Sequence, residues 1–152
     1  MDRWFTSWYG QYSSNDELGL DHRTLLGGGA GRYLSRQSSQ QARMALGLLV
    51  GREALAGSLS SGATDTLEVA LFTSYSAYRY DDPELEASTE LDVYRDVKDL
   101  QRWRGSFHLT LKYELIRDFN VKLSYYYDYD EAPAAGASST DYNASLGVDW
   151  DF

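Results

Sequence analysis

Apolar and polar side chains alternate at every position of residues 140–152, the last thirteen of the chain. Because successive side chains of a β-strand point to opposite faces, this alternation predicts a strand with one apolar and one polar face. The apolar positions are Tyr142, Ala144, Leu146, Val148, Trp150 and Phe152. The positions between them are Asp141, Asn143, Ser145, Gly147, Asp149 and Asp151.

The length of this segment suits a bilayer. Its thirteen residues, at about 3.3 Å each and tilted by about 45°, project to about 30 Å, the thickness of a bilayer's hydrocarbon core. The spacing of Ser145, Gly147, Trp150 and Phe152 also resembles the C-terminal signal by which outer-membrane barrels are recognised for insertion. The segment therefore favours a transmembrane strand over the end of a soluble sheet.

Seven earlier segments carry similar alternation and predict strands over residues 3–12, 18–34, 41–52, 66–80, 85–95, 102–115 and 119–130. Together they predict an all-β fold, an antiparallel up-and-down transmembrane β-barrel of eight strands, with residues 1–152 as one domain. The sixth to eighth strands give the clearest apolar face. The side chains expected to face lipid there are Trp103, Phe107, Leu109, Leu111, Tyr113, Tyr125, Tyr127, Leu146 and Val148.

The connections between these strands differ in length. Those at 54–65 and 131–139 are long, those at 35–40 and 116–118 are short, and the two kinds fall at opposite ends of an up-and-down sheet. Outer-membrane barrels have longer loops outside the cell and short turns at the periplasmic side. We therefore expect the C-terminus on the periplasmic side.

Charges of both signs lie on the opposite face of the strands, the expected barrel interior. An interior as narrow as that of eight strands is filled by side chains, and unpaired charges there are costly. We therefore predict a lumen filled by cross-strand ion pairs, acting as a structural plug more than as a transport path. Its members are Asp21, Arg23, Arg43, Glu68, Glu90, Asp92, Arg104, His108, Lys112, Glu114, Lys122 and Asp128.

Composition narrows the functional classes further. The formal net charge of −9 argues against binding to nucleic acid, because no basic stripe for phosphates is present. The absence of Cys removes disulfides, thiolate catalysis and zinc–thiolate sites. The 13 Tyr and 4 Trp suit strands with aromatic girdles at the two membrane interfaces.

Three features of the sequence resemble functional sites, but none predicts a catalytic, cofactor or metal site. The glycine-rich run at 27–31 is not followed by the Lys-Ser or Lys-Thr pair of a phosphate-binding loop. Ser106 and His108 share the interior face, about 7 Å apart and away from any acyl chain, so catalysis is not expected. Four acidic side chains near the last loop have the ligand type of a divalent-cation site, although solvated rim acids explain them better. They are Asp128, Asp130, Glu131 and Asp141.

Several segments resemble a known family. LGLDHRTLLGGGAGRYL, the later GRE and the C-terminal LSYYYDYDEAPAAGASSTDYNASLGVDWDF are similar to the salt-stress-induced outer-membrane proteins, a YdiY-like and DUF481-like family of unknown function. The resemblance covers about residue 18 to the end. It implies a Gram-negative outer-membrane barrel, without assigned chemistry, in a structural or envelope-stress role. Family members are longer at the N-terminus and carry a signal peptide, whereas this chain opens without an apolar leader, as a mature form or a fragment would.

Two other classes stay open. A soluble lipocalin-like barrel has a similar length and strand number, and its apolar face, with Phe107, Leu109 and Leu111, would line a ligand cavity. An outer-membrane lipid-modifying enzyme or a narrow pore, formed with missing strands or other copies of the chain, is the other class. For the barrel we expect outer-membrane lipid and the barrel-assembly machinery as partners, with a homo-oligomer possible.

Overall fold

The protein is described here by a computed structural model that covers residues 3–15, 17, 20–55, 64–79, 81, 83–99, 102–116, 119–133 and 136–150. It contains eight β-strands. They are β1 (Trp4–Asn15), β2 (Leu20–Arg36), β3 (Gln40–Leu55), β4 (Thr64–Arg79), β5 (Leu85–Asp96), β6 (Trp103–Ile116), β7 (Phe119–Asp130) and β8 (Thr140–Trp150).

All eight strands form one antiparallel sheet in the order of the sequence, so the predicted all-β, up-and-down arrangement is confirmed. The described residues contain no helix long and apolar enough to cross a membrane. The strand ends on either side of 37–39, 80–84 and 117–118 lie at one end, here called the lower rim. The strand ends on either side of 16–19, 56–63, 97–102 and 131–139 lie at the other end, the upper rim, and these intervals include the longest ones in the sequence.

The strands differ from their predicted bounds mainly at the ends. The first strand continues through the predicted turn at 13–17 as far as Asn15, because Ser13 and Asn15 still pair with β2 across a register shift. The third strand runs three residues beyond its predicted end, to Leu55, since Glu53 pairs with both neighbours and Ala54 and Leu55 still pair with β2. This extension places Glu53 inside the sheet.

The sheet curls on itself, so that side chains from distant strands meet on its concave face. Arg23 of β2 lies 3.1 Å from Asp130 of β7, although four strands separate β2 from β7 in the sheet. The hydroxyls of Tyr9 on β1 and Tyr94 on β5 lie 2.9 Å apart. These contacts identify the polar face of the strands as the interior.

Glycines on the concave face of β2 make the tight curl possible. A Cβ added to Gly29 would lie 2.3 Å from the carbonyl oxygen of Leu46, and one added to Gly31 would lie 2.3 Å from the ring of Phe5. Any larger residue would push the neighbouring backbone or the interior aromatic rings away. The glycine-rich run is therefore explained by the close approach of β2 to its neighbours.

The convex face carries the apolar side chains. Trp8 is 91% exposed and Leu48 61% exposed, and neither contributes to the interior. Of the side chains predicted to face lipid, Trp103, Tyr113, Leu146 and Val148 are exposed on this face. The other predicted side chains are half-buried by neighbours on the same face, and they are Phe107, Leu109, Leu111, Tyr125 and Tyr127. The ring centroids of Phe107 and Tyr125, for example, lie 6.3 Å apart.

The predicted insertion signal is divided between the two faces of β8. Ser145 and Gly147 share the face of Asp141, whereas Trp150 lies on the apolar face and packs edge-on against Phe119, with ring centroids 5.9 Å apart. Phe152 lies outside the described residues.

Candidate functional site

Two arginines and two carboxylates form a closed ring of alternating charge inside the upper rim. Arg23 Nε donates to Glu53 Oε2 at 2.8 Å, and Glu53 Oε1 lies 2.9 Å from Arg102 Nη1. Arg102 Nη2 donates to Asp130 Oδ2 at 2.9 Å, and the same oxygen accepts from Arg23 Nη2 at 3.1 Å. The ring thus ties β2, β3 and β7 to the connection that precedes β6.

Arg102 closes this ring from outside the strands. Its side chain is only 14% exposed. Burial disfavours its charged form, but the hydrogen bonds and charges of Asp130 and Glu53 outweigh that effect and raise the pKa of Arg102 above its ordinary value. The charged guanidinium of Arg102 anchors the end of the 97–102 connection to the interior through Glu53 and Asp130.

A second buried ion pair lies directly beside the ring. Arg104 of β6 pairs with Glu68 of β4, which is 2% exposed, and the Arg104 guanidinium stacks on the Tyr94 ring with 4.9 Å between its carbon and the ring centroid. With the ring this makes three arginines and three carboxylates, so the six charges cancel. We call these six residues the charge cluster. They are Arg23, Glu53, Glu68, Arg102, Arg104 and Asp130.

An aromatic layer lies next to the charge cluster on the side of the lower rim. The ring centroids of Tyr9 and Phe72 lie 4.9 Å apart, and Phe72 meets Tyr94 edge-on at 5.9 Å. Leu25 and Leu49 pack beside these rings and are fully buried. The layer and the charge cluster together occupy much of the upper half of the interior, beside a smaller cavity of about 110 Å³ next to Ser13 and Ser106.

Below the aromatic layer the interior contains a cavity of about 300 Å³. Arg43, Glu90 and Asp92, three members of the predicted lumen network, line it. Arg43 Nε donates to Ser74 Oγ at 2.7 Å. The filled lumen expected from the sequence is thus filled at its upper end and open lower down, because β1 to β3 present small side chains there, such as Ser7 and Ala45.

The other predicted lumen charges do not join the charge cluster. Asp128 lines the interior just below it, Glu114 Oε2 accepts the backbone N–H of Glu84 near the lower rim, and Lys122 is exposed. Lys112 lies opposite Lys122 in the β6–β7 register. His108 is exposed, with its ring centroid 6.1 Å from that of Tyr126.

Asp21 departs from its predicted place in the lumen. Its side chain is 69% exposed and lies 3.2 Å from His22 Nδ1. The β2–β3 register shifts between Leu20 and His22, and Leu20 is buried although strict alternation from Arg23 would put it on the convex face and Asp21 in the interior. This irregularity turns Asp21 out of the interior.

Three members of the charge cluster were absent from the predicted network. Glu53 fell one residue beyond the predicted end of the third strand, although it continues the interior positions of Gly47, Leu49 and Gly51. Asp130 lies within the predicted seventh strand and has the parity of its interior residues, but the sequence pattern favours a solvated acid at the rim there, whereas the structure buries it between two arginines. Arg102 has the parity of Arg104 and stands at the start of the predicted sixth strand, so the alternation places it on the interior face as well, although β6 begins one residue later, at Trp103.

The structure places the candidate reactive and metal-binding residues in other roles. Ser106 lines the interior near the charge cluster, whereas His108 stacks edge-on against Tyr126. Asp130 is held by two arginines, and Asp141 accepts from Tyr126 and Asn15. Among the described residues no group of three or more His, Asp or Glu is arranged to hold a metal ion.

The fold and its interior define a class: an up-and-down antiparallel β-protein whose curled sheet is polar inside and apolar outside. The chain belongs to the family described as a protein of unknown function, DUF481, whose family model matches residues 1–152. The match extends the resemblance over the whole chain, including β1. No curated protein and no solved structure matches the chain.

Proposed function

We propose that this chain is an integral β-barrel protein of a Gram-negative outer membrane, with lipid around its convex face and a structural plug inside. The lower rim, with its short connections, is periplasmic, and the upper rim with the charge cluster faces outward. The proposed role is mechanical support of the envelope under stress. The connection to salt stress rests on the family resemblance alone.

One observation carries the proposal, namely the apolar convex face. Large apolar side chains there are exposed on both edge strands and on β2, β3 and β6, far more than a water-soluble monomer presents in one surface. Examples spread around the sheet are Trp4, Trp8, Leu26, Leu46, Leu48, Val50, Trp103, Leu115, Leu146, Val148 and Trp150. A bilayer covers such a surface without any partner protein.

The interior supports a plug over a wide channel. The charge cluster is neutral, its members satisfy one another, and the aromatic layer follows directly beneath it. The ring that joins Arg23, Glu53, Arg102 and Asp130 narrows the interior at this height to a cavity of about 110 Å³ beside it. The interior is thus suited to bracing the wall of the barrel, and nothing in this role requires catalysis.

The lipocalin-like alternative requires the apolar face to line a cavity. Phe107, Leu109 and Leu111 instead share the convex face with Trp103, while Arg104 on the opposite face is buried among charges. The cavity below the aromatic layer has charged as well as aromatic walls. The described residues therefore do not form an apolar chamber of the predicted kind for a lipophilic ligand.

A charge placed in the middle of the apolar face tests the proposal. Leu48 lies near the midpoint of β3, and Leu48→Arg should lower the free energy of unfolding from lipid vesicles by about 2–4 kcal/mol, because the guanidinium would sit at the bilayer midplane. The measurement is reversible denaturant unfolding in vesicles, followed by tryptophan fluorescence.

Leu34→Arg is the matched control. Leu34 is also exposed on the convex face but lies near the lower rim, where the same change should cost about 0–1 kcal/mol. If both variants unfolded within about 0.5 kcal/mol of the parent protein, as for exposed positions of a soluble protein, the convex face would not be in lipid and the proposal would fail.

A further inference from the structure

The two outermost strands of the sheet leave their outer edges without a backbone ladder among the described residues. The hydrogen-bonded order ends at β1 on one side and at β8 on the other. Yet the strands touch at the upper rim, where Asn15 Nδ2 donates to Asp141 Oδ2 at 2.8 Å. Just beyond the strand ends, Ser138 N donates to Glu17 O at 3.1 Å, a contact between the two connections that is offset by one residue from the Asn15–Asp141 pairing. The edges therefore begin to meet at one end.

We infer that β1 and β8 pair with each other, in the register that sets Asn15 opposite Asp141, and close the sheet into a barrel. The inference rests on the proposed function in one respect: in a bilayer, unpaired backbone N–H and C=O groups have no water to satisfy them, so open edges are not tolerated. β1 runs towards the upper rim and β8 away from it, so the pair is antiparallel, like every other pair in the sheet.

Side-chain faces agree with this register. Extended along both strands, it places Thr6 opposite Trp150 and Gly10 opposite Leu146, all on the convex face. A slip by one residue would set convex residues against concave ones along the whole seam.

The stagger of the closed sheet supplies an independent check. Stepping from partner to partner around the sheet and across the inferred seam returns to β1 ten residues beyond the starting point. The path is Trp4, Arg32, Met44, Thr73, Leu91, Phe107, Tyr127, Tyr142 and Ser14.

A stagger of ten residues around eight strands corresponds to a strand tilt of about 40°, inside the range of about 35–45° that closed barrels show. At that tilt the 12 residues of β1 span about 30 Å along the barrel axis, the thickness of a bilayer's hydrocarbon core. Closure in this register therefore produces a barrel of ordinary geometry and of the right height for a membrane.

Engineered disulfides test the seam, and because the chain has no Cys, every thiol is an introduced one. Two double variants join residues that the register sets opposite each other: Thr6→Cys with Trp150→Cys, and Gly10→Cys with Leu146→Cys. Two control variants exchange the partners: Thr6→Cys with Leu146→Cys, and Gly10→Cys with Trp150→Cys. In the controls the two thiols are displaced by four residues, about 13 Å, which is too far for a disulfide.

Each full-length variant is folded in detergent, oxidised mildly and examined on a denaturing, non-reducing gel. The paired variants should give an intramolecular cross-link that reductant removes, in a fraction about tenfold larger than in the controls. Heat-modifiable migration of the reduced protein establishes separately that each variant has folded. Two paired variants are used so that a folding defect in one leaves the other to decide.

Three results would overturn the inference. Folded variants without a cross-link would mean that the edges of β1 and β8 stay apart. Disulfide-linked dimers would mean that a second copy of the chain occupies the edge. Stronger cross-linking in the control variants would mean that the two strands pair in another register. Failure of the proposed function looks different. If the same paired cross-links formed in a monomer folded in plain buffer, they would establish the closed seam, and the proposed location in a membrane would be contradicted.

Discussion

Arg104 and Glu68 show how single residues hold the interior together. Both side chains are buried, they lie on strands that are not neighbours, and the guanidinium also stacks on Tyr94. A buried charge is tolerated only while its partner is present, since its water shell has been removed. The contribution of the pair to the free energy of unfolding is therefore measured by deleting one partner.

Arg104→Ala should lower the free energy of unfolding by about 3–5 kcal/mol, because it leaves the Glu68 carboxylate buried without its cation. Reversible denaturant unfolding measures the change, and adding Glu68→Gln to the variant should recover part of the loss. Arg52→Ala is the control, because Arg52 and Asp65 are exposed and 4.0 Å apart, and such pairs contribute at most about 1 kcal/mol. Equal effects of the two alanine substitutions would show that the charge cluster does not stabilise the fold.

At the scale of elements, β2 determines the curl of the sheet. Its concave positions between Leu25 and Tyr33 are all glycine, and the neighbouring strands approach them closely. Close approach on the concave side draws β1 and β3 inward. That curl brings Tyr9 to Tyr94 and Arg23 to Asp130.

Gly29→Ala should cost about 1–3 kcal/mol, because the new methyl group would lie 2.3 Å from the Leu46 carbonyl oxygen and the backbone would have to move. Gly105→Ala is the matched change on the convex face, where the nearest atom is 3.6 Å away, an ordinary contact. It should be neutral, or should stabilise the protein by up to about 1 kcal/mol by restricting the unfolded chain. Thermal or denaturant unfolding compares the two, and an equally neutral Gly29→Ala would contradict the role given to β2.

Periodicity predicted the elements well and their ends less well. The alternation of β6 and β8 identified both strands and their apolar faces, because a side chain's face depends only on its position along the strand. The charge cluster was predicted in part. Arg23, Glu68 and Arg104 follow from parity. Arg102 and Asp130 have the same interior parity but lie at strand ends, where alternation does not distinguish a buried side chain from a solvated one, and Glu53 lies beyond the predicted end of β3.

The limits of periodicity also explain why the exposure of Asp21 and the open cavity below the aromatic layer differ from the prediction. A register shift reverses the face of a residue without any change in composition, so Asp21 is exposed despite its parity. Whether a narrow interior is filled depends on the sizes of side chains from several strands at one height. The sequence order alone does not bring Arg43, Glu90 and Ser7 to the same cavity.

At the scale of the whole molecule, charge and apolar surface are segregated to opposite sides of one sheet. All four tryptophans of the chain lie on the convex face: Trp4, Trp8, Trp103 and Trp150. Trp103 is at the upper rim, Trp4 and Trp150 are near the lower rim, and Trp8 lies between these levels. Tryptophans near both ends of an apolar wall are typical of membrane interfaces.

These tryptophans allow the central claim, that the convex face is in contact with lipid, to be measured directly. The protein is folded into vesicles whose acyl chains carry bromine near their midpoint, and its tryptophan fluorescence is compared with that in unbrominated vesicles. Our account predicts strong quenching by the brominated chains, and a clear loss of that quenching in Trp8→Phe, since Trp8 lies furthest from both rims. A folded protein whose fluorescence is unchanged by brominated lipid, or one that folds as a monomer in plain buffer and does not enter vesicles, would contradict it.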